Sequence, residues 1–328
     1  MAKQKLVMIG NGMAGIRTIE EILERANDLY DITVIGKEPY PNYNRIMLSN
    51  ILQNKMTVEE TIMNPYEWYE EHGIELITND PVIEVDRANQ SVTTANGIEV
   101  SYDKLIFATG SKAFVIPVPG STLPSVIGWR TIDDTEQMMN IAKTKKKAIV
   151  IGGGLLGLEC ARGLLDQGME VTVLHLAEWL MEMQLDRKAG NMLKADLEKQ
   201  GMKFEMQANT TEILGEDDVE GVKLADGREI PADLVVMAVG IRPYTEVAKE
   251  SGLDVNRGIV VNDVMQTSDS NVYAVGECAE HNGKVYGLVA PLYEQGKVLA
   301  DHLTNKETNG YKGSTTLTKL KVSGCDLY

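Results

Sequence analysis

The chain has 328 residues, a length that suggests about two domains and permits a sizeable core without disulfides. Apolar residues make up 43%, which excludes wholesale disorder. The formal net charge of −16 repels phosphate backbones and anionic bilayers, so neither nucleic acid nor a membrane surface is expected as a partner.

The chain opens on Met-Ala-Lys-Gln-Lys-Leu-Val-Met-Ile-Gly, whose four apolar residues are too few for a signal-peptide core. Leu6–Ile9 predicts a short strand, and Gly10-Asn-Gly-Met-Ala-Gly15 follows it. Ile16, Ile19, Ile22, Leu23 and Ala26 are spaced as one buried helical stripe, and Ile32–Ile35 predicts the next strand. Tyr40 to Asn54 reads as irregular. Asn96-Gly97 lies between two strand-like runs and suits a tight hairpin, and Asp103–Gly110 adds a further strand and a closing glycine. The longest uncharged stretch, Ala113–Trp129, holds three prolines and two glycines and is therefore a loop rather than a membrane helix.

The plan then repeats. Ala148–Ile151 leads into Gly152-Gly-Gly-Leu-Leu-Gly157, so that Gly10, Gly12 and Gly15 recur at Gly152, Gly154 and Gly157, each displaced by 142 residues. Leu155, Leu158, Ala161, Leu164 and Leu165 form the second helical stripe, and Val171–Leu174 the second following strand. Asp226-Gly227 repeats the hairpin, and Asp233–Gly240 repeats Asp103–Gly110 at a displacement of 130. The first copy is therefore 12 residues longer between loop and hairpin, and the excess falls around Tyr40 to Asn54.

Strand, glycine turn, helix and strand make the parallel unit that binds dinucleotides. The first glycine allows the tight turn, the second lets a pyrophosphate approach the backbone, and the third lets helix and strand pack closely. Free N–H groups at the helix N-terminus hold the phosphates. An acid near the end of the second strand grips the adenosine ribose; Glu38 is the candidate in copy one, with a solvated turn acid as the alternative. In copy two the strand ends on His175, with Glu178 three residues beyond. Neither a clear acid nor an arginine stands there, so the choice between NADH and NADPH is open.

These segments resemble the FAD- and NAD(P)H-binding part of the pyridine nucleotide-disulfide reductase superfamily. More narrowly, the chain resembles the flavoprotein segment of assimilatory NAD(P)H-nitrite reductases and the related electron-transfer subunit of nitrate reductases. The resemblance rests on the two glycine loops, Pro41-Asn-Tyr-Asn-Arg-Ile-Met-Leu-Ser49, Ala108-Thr-Gly-Ser111, Val272-Tyr-Ala-Val-Gly-Glu-Cys-Ala-Glu-His281 and Tyr286-Gly-Leu-Val-Ala-Pro-Leu-Tyr-Glu-Gln295. It covers nearly the whole chain.

The resemblance implies an α/β fold with two Rossmann-like domains in the glutathione reductase arrangement. An FAD domain over 1–114 and 242–310 would be interrupted by an NAD(P)H domain over 115–241. Residues 311–328 would begin a third, interface domain that is largely missing, and the full-length form would be a homodimer. FAD is expected against Gly10, Asn11, Gly12, Met13, Ala14 and Gly15, with Glu38 on the ribose. Arg45 would reach the pyrophosphate and the Val82 backbone would meet the adenine. Ala108, Thr109, Gly110 and Gly276 would line the site, Glu277 would bond the ribityl chain, and Pro291 with Tyr293 would lie near the flavin ring. Core packing is the alternative for Tyr293. NAD(P)H is expected against Gly152, Gly153, Gly154, Leu155, Leu156 and Gly157, with His175, Glu178 and Gly240 nearby. Glu159 is the candidate for orienting the nicotinamide, and no side chain is expected to act as an obligatory acid or base.

Departures narrow the chemistry. No CxxxxC motif is present, segment 40–45 has no cysteine, and Asn50 stands where relatives often carry lysine beside the flavin. Cys160, Cys278 and Cys325 are far apart, which suits a reducing, cytoplasmic setting, and the first two read as packing thiols. No metal-ligand spacing occurs; an iron–sulfur cluster and sirohaem are expected only on missing segments or a partner. The sequence thus predicts an FAD-dependent NAD(P)H dehydrogenase that passes electrons to such an acceptor, with NAD(P)H binding in the cleft between the domains. A stand-alone rubredoxin or ferredoxin reductase and a non-catalytic nucleotide sensor are the alternatives.

Overall fold

The computed structural model describes residues 3–315, 320–322 and 325–327. Two compact units emerge, one from Met1–Asn44, Ile62–Ser111 and Arg242–Thr316, the other from Arg45–Thr61, Lys112–Ile241 and Leu317–Tyr328.

The first unit is built on a parallel five-stranded sheet in the order Val272–Ala274, Lys104–Phe107, Gln4–Ile9, Tyr30–Ile35, Glu75–Ile77. Helix Met13–Ala26 buries Ile16, Ile19 and Ile22 against the core that Leu6, Met8 and Val34 share, as the apolar spacing dictates. Each such side chain contributes about 1.5–3 kcal/mol by leaving water. The returning segment pairs Val272 opposite Leu105 and completes the sheet. A three-stranded antiparallel sheet, Val82–Asp86, Ser91–Thr94 and Glu99–Ser101, carries the expected Asn96-Gly97 turn, with Gly97 at φ +82°.

The second unit repeats this plan. Its parallel sheet runs Val126–Gly128, Leu234–Met237, Lys147–Ile151, Glu170–His175, Lys203–Met206. Thr210–Leu214, Gly221–Leu224 and Glu229–Pro231 form its antiparallel sheet, with Gly227 at φ +88°. The two units differ in the source of one edge strand. In the first it arrives last in the chain, as Val272–Ala274; in the second it arrives first, as Val126–Gly128.

Residues 45–61 fall in the second unit, whereas the sequence expectation put all of 1–114 in the first. The cause is packing. Helix Leu48–Leu52 lies on helix Leu155–Asp166 where Gly163 leaves room, since a Cβ there would stand 2.5 Å from Leu52 Cγ. Gln167 Nε2 also donates to Leu52 O at 2.7 Å. The stretch expected to be irregular thus holds a short helix, a 3-10 turn at Arg45–Met47, and Asn42–Tyr43 paired with Ile62–Asn64.

Near the C-terminus, Tyr311 N–H donates to Asp263 O at 2.7 Å within the first unit. Strands Leu320–Val322 and Cys325–Leu327 form an antiparallel pair. The expected start of a third domain over 311–328 falls partly on 316–319, 323–324 and 328, outside the described residues.

Candidate functional site

In each unit the strand that leads into the glycine loop, Gln4–Ile9 or Lys147–Ile151, has the next strands in chain order on one side and a later strand, Lys104–Phe107 or Leu234–Met237, on the other. Such a reversal of strand order leaves a crevice at the carboxyl ends of the strands, where ligands bind. Both glycine loops sit at that point. Ala108 N–H donates to Ile9 O at 2.8 Å and Ala238 N–H donates to Ile151 O at 2.8 Å, which brings each alanine against the first glycine. A Cβ on Gly10 would stand 2.2 Å from Ala108 O, and one on Gly152 would stand 2.4 Å from Ala238 O. Both glycines also have positive φ, +113° and +121°. The third glycines serve close packing. A Cβ on Gly15 would lie 2.9 Å from Gly10 O, and one on Gly157 would lie 1.9 Å from Gly152 O.

The second glycines behave differently. Gly12 and Gly154 stand at the N-caps of helices Met13–Ala26 and Leu155–Asp166, in extended backbone that any residue adopts. A Cβ on either meets nothing within 4 Å. Each therefore borders open space at a helix N-terminus, the shape and polarity that fit a pyrophosphate.

Around the first loop the structure gathers several expected residues. Asn11 Oδ1 accepts from Tyr69 OH at 2.7 Å, its Nδ2 donates to Tyr40 O, and its carbonyl accepts from Asn42 Nδ2. Glu38 Oε2 accepts from Tyr43 OH at 2.7 Å. Val82 is buried, and nearby Asp80 N–H donates to Gly36 O, tying this segment to the end of the second strand. Thr109 Oγ1 donates to Tyr244 O, and Gly110 O accepts from Tyr244 N–H. Ser111 Oγ donates to Glu277 Oε2 at 2.6 Å. Gly276, at φ +88°, comes so close to the loop that a Cβ would lie 3.0 Å from Ala14 Cβ. Pro291 is buried in the first turn of helix Val289–Leu303, and burial pushes the half-buried Tyr293 phenol upward.

Gln295 adds a feature that the sequence did not single out. It is fully buried, and its Oε1 accepts the Gly276 N–H at 2.9 Å. A backbone N–H only donates, so the amide orientation is settled and Nε2 is the remaining donor. That Nε2 has no protein partner. A buried donor left unmatched beside the loop is what a bound nucleotide would satisfy. The residues present therefore fit FAD.

Arg45 belongs to the second unit, where Nη1 donates to Arg130 O at 2.6 Å. Around the second loop, Gly153 N–H donates to His175 Nδ1 at 3.0 Å, and Met181 N–H donates to Gly153 O at 3.1 Å. Glu178 pairs with Arg187 at 2.8 Å, and His175 Nε2 lies 3.0 Å from Glu182 Oε2. Sequence reasoning missed Arg187 and Glu182, which lie beyond the strand end where the motif is read. Leu155 and Leu156 form the first turn of the helix, Leu156 partly exposed, and Glu159 is buried on the same helix. Gly240, at φ +111°, accepts from Phe114 N–H. The Cys160 and Cys278 thiols are buried, and burial pushes both upward, which withholds the reactive thiolate. Among the described residues no helix is long and apolar enough to cross a membrane.

Comparison with known proteins agrees with this geometry. The chain is 56% identical over its whole length to nitrite reductase [NAD(P)H] of Bacillus subtilis, of which it covers 41%. It is 48% identical over its whole length to the assimilatory nitrate reductase electron transfer subunit of the same organism, of which it covers 42%. It thus spans less than half the length of these curated relatives. The crystal structure of NADH:rubredoxin oxidoreductase from Clostridium acetobutylicum superposes with a TM-score of 0.84 at 31% identity, over 99% of this chain and 81% of that one. The family and these relatives imply binding of FAD and NAD(P)H. Residues 4–296 match the pyridine nucleotide-disulphide oxidoreductase family, and the chain belongs to it.

Proposed function

We propose that this chain is an FAD-dependent NAD(P)H dehydrogenase module. It hands electrons to an iron–sulfur or sirohaem acceptor carried on another segment or another protein, as in NAD(P)H-nitrite reductase. The observation that carries the reading is the pair of open second glycines, Gly12 and Gly154, each at a helix N-terminus and each at a reversal of strand order. Two such cradles suit two dinucleotides. Similarity over the whole of this chain to part of a nitrite reductase and part of an electron transfer subunit supports the direction of electron flow.

In this reading the N–H groups of the Met13–Gly15 turn hold the FAD pyrophosphate, Glu38 holds the adenosine ribose and Glu277 the ribityl chain. The corresponding turn at Leu155–Gly157 holds the nicotinamide dinucleotide, and Glu159 orients its carboxamide. When bound, FAD supplies acceptance of a hydride from reduced nicotinamide and release of the two electrons to a separate acceptor. The protein's part is to bind and position both nucleotides. A cytoplasmic setting and a homodimer of a longer chain belong to the same proposal.

A stand-alone rubredoxin reductase is the second reading, favoured by the 81% coverage of the Clostridium acetobutylicum enzyme. Both readings predict that the FAD-loaded chain oxidises NADH or NADPH with ferricyanide as a one-electron acceptor. Ferricyanide reduction no faster than in a protein-free control contradicts both.

A further inference from the structure

The two carboxylates assigned to FAD are each held by a hydroxyl of the same unit. Tyr43 OH donates to Glu38 Oε2 at 2.7 Å, and Ser111 Oγ donates to Glu277 Oε2 at 2.6 Å. The second bond joins two pieces of backbone that are themselves fixed. Ser111 is 5% exposed and comes straight after Gly110, which lies at φ +65°. The carbonyl of Gly110 accepts from Tyr244 N–H at 2.9 Å, and Thr109 Oγ1 donates to Tyr244 O at 2.8 Å. On the other side, Gln295 Oε1 accepts the Gly276 N–H at 2.9 Å. Glutamine thus anchors the main chain beside Glu277, and serine anchors its carboxylate.

A glutamate has one more side-chain torsion than an aspartate, so the backbone alone places its carboxylate less well. A carboxylate only accepts, so the serine hydroxyl points its single proton at Glu277. Such a short, charge-assisted bond is directional. It orders the side chain when the protein folds, and less ordering is then left for the ligand to impose. We propose that Ser111 is a positioning residue for the flavin half of FAD. It acts through Glu277, whose carboxylate it presents to the ribityl hydroxyls. The proposal rests on the reading that the first loop holds FAD with Glu277 on the ribityl chain. ADP carries the adenosine and pyrophosphate of FAD but no ribityl chain, so Ser111 matters to FAD and not to ADP. A bond that merely braced the unit would matter to both.

The test compares FAD with ADP on the apoprotein of wild type, Ser111→Ala, Glu277→Ala and the double variant. FAD binding is read from its fluorescence. ADP binding is read only from its competition with FAD, so that occupancy of the second loop is not counted. Ser111→Ala should weaken FAD by about five- to tenfold and leave ADP within about twofold of wild type. Glu277→Ala should weaken FAD by about tenfold or more, again sparing ADP. Adding Ser111→Ala to Glu277→Ala should weaken FAD by less than about twofold further, because the serine then has nothing to act through. FAD affinity unchanged in either single variant overturns the proposal. So does an equal loss of FAD and ADP, or losses that multiply in the double variant. A Ser111→Ala chain that a thermal melt shows to be unfolded overturns it as well, since the bond is then structural. The FAD-to-ADP split in Ser111→Ala decides alone if Glu277→Ala does not fold. Failure of wild type to bind FAD, or of ADP in large excess to displace it, overturns instead the assignment of the first loop, and this proposal with it.

Discussion

Gly10 approaches Ala108 so closely that a Cβ on Gly10 would stand 2.2 Å from the Ala108 carbonyl oxygen, and Gly152 meets Ala238 in the same way at 2.4 Å. Residues almost a hundred positions apart are locked together because parallel pairing sets Ile9 opposite Phe107 in one unit and Ile151 opposite Met237 in the other. The glycine loop is therefore part of the sheet's packing before it is a ligand site. Gly10→Ala should destabilise the fold by about 2 kcal/mol or more, through backbone overlap and a positive φ together. Urea denaturation followed by circular dichroism checks this; an unchanged midpoint would contradict it.

A second prediction concerns helix Met13–Ala26. Glu21 is 3% exposed and accepts bonds from Arg17 Nη2 and, at 2.6 Å, Arg25 Nη1, while Arg25 Nε reaches Asp301 on helix Val289–Leu303 at 2.6 Å. Burial alone pushes the Glu21 carboxyl upward, but the bonds and charges of Arg25 and Arg17 outweigh it and hold it below its usual range. A carboxyl depressed in the folded state stabilises above its unfolded pKa, about 4.3, and that stabilisation is lost as pH falls through the folded value. Glu21→Gln should therefore cost about 2 kcal/mol at pH 7. The gap between variant and wild type should narrow below about pH 4. Denaturation midpoints measured across pH would show a constant gap if the charge were irrelevant.

Gln295→Glu separates the two ends of one side chain. The variant keeps an acceptor for Gly276 N–H and replaces the unmatched Nε2 donor with a second acceptor. If that donor serves FAD, affinity should fall by about tenfold, roughly one charge-assisted hydrogen bond; the carboxylate at this buried position also costs stability, which a thermal melt of the apoprotein reports. Fluorescence titration of the apoprotein with FAD measures it. Unchanged FAD affinity would remove Gln295 from the site.

Much of the fold was legible because its requirements are local and steric. The first and third glycines of each loop appear at matched spacing, since no side chain fits at those positions. The Asn96-Gly97 and Asp226-Gly227 turns announce themselves for the same reason, by positive φ. What stayed hidden depends on partners distant in sequence. Helix Leu48–Leu52 has only five residues and takes its place from Gly163, more than a hundred positions on, so segment 45–61 could not be assigned by pattern. The His175 ring gives no sign in the sequence that it turns back onto Gly153. Gln295 reads as one more helical residue until its buried amide is seen with one end unmatched.

The central claim, that the first loop holds FAD and the second the reduced nicotinamide, is best tested by placing Asp at each second glycine. Gly12 and Gly154 have ordinary φ values of −89° and −87° and open space at Cβ, and Asp is favoured at an N-cap, so both variants should fold. Each aspartate would fill its cradle with bulk and negative charge. The decisive measurement is the anaerobic visible spectrum of wild type, Gly12→Asp and Gly154→Asp after loading with FAD, before and after NADH and NADPH. The account predicts that wild type retains FAD and is bleached, that Gly154→Asp retains FAD and is not bleached, and that Gly12→Asp retains none. FAD retained by Gly12→Asp but lost from Gly154→Asp, or a wild-type flavin band untouched by either nucleotide, would contradict it.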